Sequence, residues 1–238
     1  MNKNFKLTLG SIYLFCLAVL LFILFSYLDM KDLTDYSFIR DKGQLLINFK
    51  NDNFLGFSLL FIIASVIWVL LLGFGSPIAI LAGFIFGKWY GTFFSVLSFT
   101  IGSSLLYLLA RYYFESFITK ILSKTIHKYK NLFNKNEFLY FMIFRFTGGA
   151  GIPFAIQNVL PVVFNMKIKN YIYATFLGLV PTVFVINSLG EGIENLIENN
   201  KNIDYKNIFT DPGIYVPLIG FLIILLISYF IKKKIFKK

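Results

Sequence analysis

"FRFTGGAGIPFAIQNVLPVVF" (residues 144–164) interrupts a stretch otherwise apolar enough to enter a membrane. It holds an arginine, the small-residue run Gly148, Gly149, Ala150 and Gly151, two prolines and the adjacent amides Gln157 and Asn158. Non-helical backbone at bilayer depth survives only where protein or a water-filled cavity satisfies its N–H and C=O groups. A segment that stops and turns inside the bilayer needs such residues. Glycine admits left-handed backbone angles, proline lacks an N–H and blocks the preceding helical hydrogen bond, and the amides can bond freed backbone or a ligand. Gly148, Gly149, Gly151 and Pro153 are expected to make this turn. Upstream, "LLGFGSPIAILAGFIFG" (residues 71–87) has a similar composition. There Pro77 is expected to break the helix and Gly73 and Gly75 to supply positive angles, with Gly83 and Gly87 in the same turn set. The plainer alternative is that these residues only kink ordinary helices, since glycine and proline are commoner in membrane helices than in soluble ones.

Of the 238 residues, 57% are hydrophobic and 19% aromatic, against about 45–50% apolar in a soluble domain. The chain reads as an all-α integral membrane protein. Its net charge of +11 sits in short blocks beside apolar runs, the pattern of anchors facing anionic headgroups and not of a basic helix that reads nucleic acid. Cys16 and His127 are the sole cysteine and histidine, so a disulfide framework, a Cys/His metal cluster and a Cys-His nucleophile pair are excluded. Neither metal nor cofactor is expected, and an enzyme is the least favoured class. "GFGS" and "GGAG" lack the lysine and hydroxyl of a phosphate loop, which disfavours nucleotide binding.

Polar segments at residues 29–53, 111–137, 191–212 and after 231 divide the chain. The apolar run 7–28 is long enough to span and reads as a retained first helix, with a cleaved signal peptide as the lesser alternative. Segment 111–137 carries Arg111 and five lysines against two acids, and the tail ends "KKKIFKK"; segments 29–53 and 191–212 are acidic on balance. The positive-inside rule then puts both termini and segment 111–137 in the cytoplasm. Residues 54–110 must therefore cross an odd number of times, yet are too few for three spans of about 20 residues with turns. One re-entrant hairpin followed by one span satisfies both conditions. Residues 138–190 repeat this with the opposite sense, as a hairpin over 138–166 and a span over 171–189, giving two oppositely oriented hairpin-plus-span units, an inverted repeat. Three regions follow: 1–53 with the first helix and outer segment, the core 54–190, and 191–238 with the last helix and basic tail.

Arg145 is the sharpest single residue. An arginine at bilayer depth costs about 2.5–3.5 kcal/mol even on the lenient insertion scale, so it is expected either to meet an anionic group such as a lipid phosphate or to snorkel to the cytoplasmic interface. Arg111, at the end of its helix, is explained by the interface alone and is carried as a second substrate-binding candidate with Gln157 and Asn158. No Asp or Glu lies between residues 53 and 114 or between 138 and 190. A coupling carboxylate would have to sit at a rim, where Asp52, Glu115, Glu137 and Glu191 read as solvated charge. The spacings Gly83 to Gly87 and Gly87 to Gly91 are those of close helix packing.

"GSPIAILAGFIFGKWYGTFFSVLSFTIGSSLLYLLAR" (residues 75–111), "FMIFR" (residues 141–145), "IPFAIQNVLP" and "ATFLGLVPTVFVINSLG" follow one another in the order of the DedA superfamily, also called VTT-domain or SNARE-associated Golgi proteins. The chain resembles this family over about residues 54–190. A proline common about three positions after the arginine is Gly148 here, and the acidic E-F/Y-G-G element of many bacterial DedA proteins is missing. The match is therefore nearer the SNARE-associated branch, and proton coupling is in doubt. The resemblance implies lipid movement, since relatives include phospholipid scramblases and bacterial transporters that recycle polyprenyl-phosphate carriers. It carries site roles onto Pro77, Gly83, Gly87, Arg111, Arg145, Pro153 and Asn158. The expectation is a flippase or scramblase of a bacterial inner (plasma) membrane whose partners are lipids with anionic phosphate headgroups, homo-oligomerisation being left open. A scaffold or envelope-homeostasis protein and a small-solute transporter are the rival readings.

Overall fold

In a computed structural model of the chain, residues 36–126, 133, 135–198 and 211–235 are described, together with residue 19. The chain divides into two compact units, Met1–Asn53 and Phe54–Lys238. In the first, helix α1 is Tyr36–Asp52. The expected span at residues 7–28 lies outside the described residues apart from Val19. The second unit comprises α2 (Phe54–Leu70), α3 (Gly75–Ile126), α4 (Glu137–Phe146), α5 (Phe154–Val159), α6 (Ile168–Glu198) and α7 (Pro212–Ile235). All regular structure among the described residues is helical. Two stretches, Gly75–Lys120 and Ile168–Ile197, are long and apolar enough to cross a membrane.

Helix α2 is free of charge and apolar on every side, the composition of a helix with no watered face. It buries Phe61 and Val69 and leaves Leu55, Leu59 and Leu60 exposed. It stops where Leu72 turns to φ 63° and the Gly73 N–H returns to the Trp68 carbonyl at 2.9 Å. The Trp68 indole N–H then donates to the Phe74 carbonyl at 2.9 Å, fastening the turn. Here the structure corrects the expected roles. The left-handed residue is Leu72, whereas Gly73 and Gly75 have no positive φ. Gly73 is required because a Cβ there would overlap the Trp68 ring. Pro77 lies in the first turn of α3, where a helix has no use for its N–H, so it starts this helix and does not break one.

Helix α3 consists of two limbs joined at Gly87, whose φ is 73°. Its long limb begins at Lys88 with Trp89 and Tyr90 exposed and passes Arg111 beside the exposed Tyr112. Lys88 to Arg111 is about 35 Å of helical rise, enough for a hydrocarbon core of about 30 Å. Aromatic and basic residues at both ends are the usual interface anchors. The helix runs on to Ile126, well into the polar segment, because no glycine or proline occurs from Ser103 to Lys135 to stop it.

Helix α4 is capped by Asn136, whose side chain accepts from the Leu139 N–H at 3.0 Å, and ends at Phe146. Gly148, Gly149 and Gly151 follow at φ 64°, 73° and 84°. A short limb of α5 and a 3₁₀ turn (Leu160–Phe164) closes at Asn165, φ 52°, before α6 begins. The order is thus helix, break, short limb, break, long helix, and it occurs twice.

The two long helices α3 and α6 pack together, with α2 against α3 and with α4 and α7 against α6. Near Gly87 the α3–α6 contact is backbone to backbone. A Cβ on Gly83 would overlap the Asn187 backbone, and one on Gly190 would overlap the Ile80 carbonyl. Gly83 is therefore a helical packing residue, correcting its place in the turn set. Gly83→Val should destabilise the protein by about 1–3 kcal/mol through overpacking, while Leu60→Val on the exposed face should leave the detergent unfolding midpoint unchanged. Equal midpoints for the two variants would disprove the close crossing.

Candidate functional site

Arg145 occupies the last turn of α4, immediately before the glycine break, and is fully buried. Its position follows from a close helix crossing. A Cβ on Gly178 of α6 would lie 2.6 Å from both the Arg145 Cβ and the Met142 carbonyl oxygen, so only glycine lets α6 seat against this turn. The guanidinium is then held by neutral groups. Nη1 donates to Gln157 Oε1 at 3.2 Å. Nη2 donates to Asn158 Oδ1 at 2.6 Å and to the Tyr171 hydroxyl at 3.1 Å. The rings of Phe141, Phe154 and Tyr171 surround the cation, with centroids at 5.0, 5.4 and 5.9 Å.

A second tier holds these partners. The Tyr171 hydroxyl lies 3.2 Å from the Ser103 carbonyl and 3.1 Å from that of Asn158. Ser103 Oγ donates to Asn158 Oδ1 at 2.9 Å. The Gln157 amide nitrogen donates to the carbonyls of Ile152 at 2.7 Å and Gly148 at 3.2 Å, bracing the break from within. Tyr171 stacks on Tyr107, centroids 4.6 Å apart.

None of these partners carries a negative charge. Among the described residues no carboxylate touches Arg145, and Nε has no partner. Dipoles and ring faces solvate a cation but leave its net charge in place, and a low dielectric lets that charge act strongly on its surroundings.

That charge borders a cavity of 270 Å³, room for about nine water-sized groups at about 30 Å³ each. Both helix breaks reach it: Gly75 and Ser76 from the start of α3, and Gly148, Ile152 and Pro153 from the second break. Ser76, Arg145, Gln157 and Thr182 make its polar lining, and Phe99, Leu179 and Val183 its apolar wall. Phe74, 65% exposed, and the exposed Gly148 and Pro153 belong to its rim. The first-turn N–H groups of α3 lack helical partners and add the positive end of a helix to the Arg145 charge.

The four expected binding residues separate. Arg145 and Gln157 line the cavity, whereas Asn158 lies fully buried behind Arg145 and positions it. Arg111 is not in this site. Its Nη1 lies 3.4 Å from the Met166 carbonyl, which already accepts from the Tyr107 hydroxyl at 2.5 Å. Two rim acids expected to be solvated are engaged. Glu191 pairs with Lys88 at 2.9 Å. Glu137 accepts from the Lys167 N–H at 3.1 Å and from the Asn170 side chain at 2.7 Å. Tyr171, Ser103 and Gly178 were missed by the sequence reading, since nothing distinguishes them from other tyrosines, serines and glycines of apolar helices until α4 and α6 are brought together.

A family model described as "VTT domain" matches residues 73–192, about half of the chain. It covers the stretches on which the resemblance rests. The chain is 24% identical over 203 residues to a "Transmembrane protein 41 homolog" of Caenorhabditis elegans, spanning 82% of this chain and 78% of that one. It is 28% identical over 139 residues to "Uncharacterized protein YqeD" of Bacillus subtilis, spanning 56% and 64% respectively. No solved structure matches it.

Tyr171→Phe keeps the ring contacts and removes the hydroxyl that Arg145 bonds, so it should lower stability by about 1.5–3 kcal/mol, the range for hydrogen bonds to charged groups. Arg145→Ala should be more damaging, because it strands Gln157 and Asn158 as well as opening a cavity. Denaturant or thermal unfolding of the three proteins in one detergent checks the order; wild-type stability in Tyr171→Phe would remove the tyrosine from the network.

Proposed function

The chain belongs to the VTT domain family of membrane proteins, and on that premise we propose that it moves lipids across the bilayer by receiving their phosphate headgroups at Arg145. One observation carries the reading: a fully buried arginine with neutral partners borders a cavity at which two helix breaks meet. An anionic headgroup supplies the charge that the described groups around Arg145 do not. The apolar wall and the exposed Phe74 at the rim suit the first carbons of a lipid chain.

The breaks support two re-entrant units. With segment 111–137 on the cytoplasmic side, α2 enters from outside, turns at Leu72–Phe74 and returns along the short limb to Gly87, after which α3 crosses inward. Helix α4 enters from inside, turns at Gly148–Gly151 and returns to Asn165, after which α6 crosses outward. The units are opposite in sense, as in transporters with inverted repeats. Both tips then fall near the midplane, and Arg145 with them. In this reading the termini are cytoplasmic and the membrane is a bacterial plasma membrane.

Transbilayer movement of headgroup-labelled anionic phospholipid in proteoliposomes tests the proposal. The wild type should exceed empty vesicles, and Arg145→Lys, which keeps the charge but loses the planar fork, should be slower by about tenfold, the equivalent of about 1.4 kcal/mol. Wild-type rates equal to those of empty vesicles, or an undiminished Arg145→Lys rate in folded protein, would contradict it.

A further inference from the structure

The Lys88–Glu191 pair and the buried polar atoms beneath it have no part in the Arg145 network. Resting on the lipid-translocation reading above, we propose that the headgroup path runs from the Arg145 cavity between α3 and α6, past Ser95 and Asn187, to Lys88–Glu191, and that this ion pair is its outer gate.

The register of the two helices supports the path. Gly91, Ser95 and Phe99 recur at four-residue spacing and so share a face of α3, and Leu179, Val183 and Asn187 do the same on α6. Phe99, Leu179 and Val183 line the cavity at one end of these faces. At the other end a Cβ on Gly91 would come within 2.5 Å of Asn187 Oδ1. Ser95 and Asn187, both fully buried, therefore lie on the route from cavity to seam.

Their polar atoms are poorly served there. Among the described residues Ser95 Oγ and Asn187 Oδ1 have no hydrogen-bond partner, the Asn187 amide nitrogen being given to the Val183 carbonyl at 2.8 Å. Neighbouring hydroxyls show that a local solution exists. Ser104 bonds the Thr100 carbonyl at 2.6 Å and Ser188 bonds that of Phe184 at 2.8 Å, each four residues back. Ser95 does not use it. Among the described residues the hydroxyls of Ser58 and Ser65 on α2, of Thr100 on α3 and of Thr175 on α6 are also unpartnered, but none of these residues lies on α3 or α6 between the cavity and the Lys88–Glu191 pair. Buried polar groups left unpaired destabilise the closed arrangement, and within a membrane such groups mark substrate pathways. Gly83, Gly91 and Gly190 make the close contacts of the rest of the seam, so a helix displacement opens it with few side chains in the way.

The two ends of the α3–α6 contact are unequally fastened. At one end the Met166 carbonyl, just before α6, accepts from the Tyr107 hydroxyl of α3 at 2.5 Å, and Glu137 of α4 takes the Lys167 N–H and the Asn170 side chain, tying the start of α6 to a third helix. At the other end Lys88 and Glu191, 40% and 27% exposed, make the ion pair next to the Gly87 hinge. Partly exposed pairs are weak, which suits a gate.

Thiol accessibility tests this. In a Cys16→Ser background, Ser95→Cys is exposed from outside to a membrane-impermeant thiol reagent. Labelling should be slow with the pair intact, faster by about fivefold with Lys88→Glu or Glu191→Lys, the effect of about 1 kcal/mol, and slow again with both reversals together. Equal rates in all four proteins, or labelling from the cytoplasmic side only, would overturn the gate. Trp89, whose ring lies 5.0 Å from Phe184 of α6, gives a second readout in a Trp68→Phe protein should the cysteine variant not fold. Its emission should shift with either single reversal and recover with both, and an unchanged spectrum overturns the gate. If lipid moves with Arg145 dependence while labelling stays flat, the gate fails alone; if labelling follows the pair and no lipid moves, the lipid reading fails alone.

Discussion

The central constraint is a buried cation without a counter-charge. Placing an arginine at membrane depth is unfavourable unless something offsets its desolvation. Two side-chain amides, a tyrosine hydroxyl and three ring faces meet Arg145, and among the described residues no carboxylate does. Much of the surrounding sequence is explained by keeping Arg145 in place: Gly178 lets α6 approach, Ser103 and Tyr171 fix the amide and hydroxyl that meet the guanidinium, and Gln157 braces the break beside it. A fully neutralised arginine would be a structural strut. One left with net charge on a cavity wall is also placed to attract an anion.

The cavity exists because the helices around it are interrupted. Each break frees backbone groups that lipid could not satisfy, and each is closed by a specific device: the Trp68 indole at the first, the Gln157 amide at the second. The long helices α3 and α6 hold the two breaks to a common site, and their glycine contacts make that support close near Gly87. A polar site inside an apolar membrane protein thus rests on ordinary packing of small residues.

Several of these features were legible in the sequence. The apolar composition, the odd residues of 144–164 and the prominence of Arg145 could all be read from residue type, because each is improbable in a plain membrane helix. The exact backbone duties could not. Leu72 takes the left-handed angle expected of Gly73, and Gly73 is needed instead because the Trp68 ring, five residues back, occupies the space a Cβ there would fill. Pro77 was read as a breaker when its place in the first turn of α3 makes it a starter. Arg111 and Arg145 look alike as helix-terminal arginines, and only the tertiary arrangement sends one to the Met166 carbonyl and the other to the cavity. The contacts of Glu137 and Glu191 were invisible for the same reason, since their partners lie far away along the chain.

The most direct test of the central claim is equilibrium binding. Trp68 bonds the carbonyl of Phe74, a cavity residue, so in a Trp89→Phe protein its fluorescence reports on the site. Titrating short-chain phosphatidate into the detergent-solubilised protein should give a saturable change that Arg145→Lys weakens by about tenfold, since lysine keeps the charge but loses the planar fork that Gln157, Asn158 and Tyr171 hold at the cavity. A response that never saturates, or one identical in the two proteins, would contradict a phosphate site at Arg145.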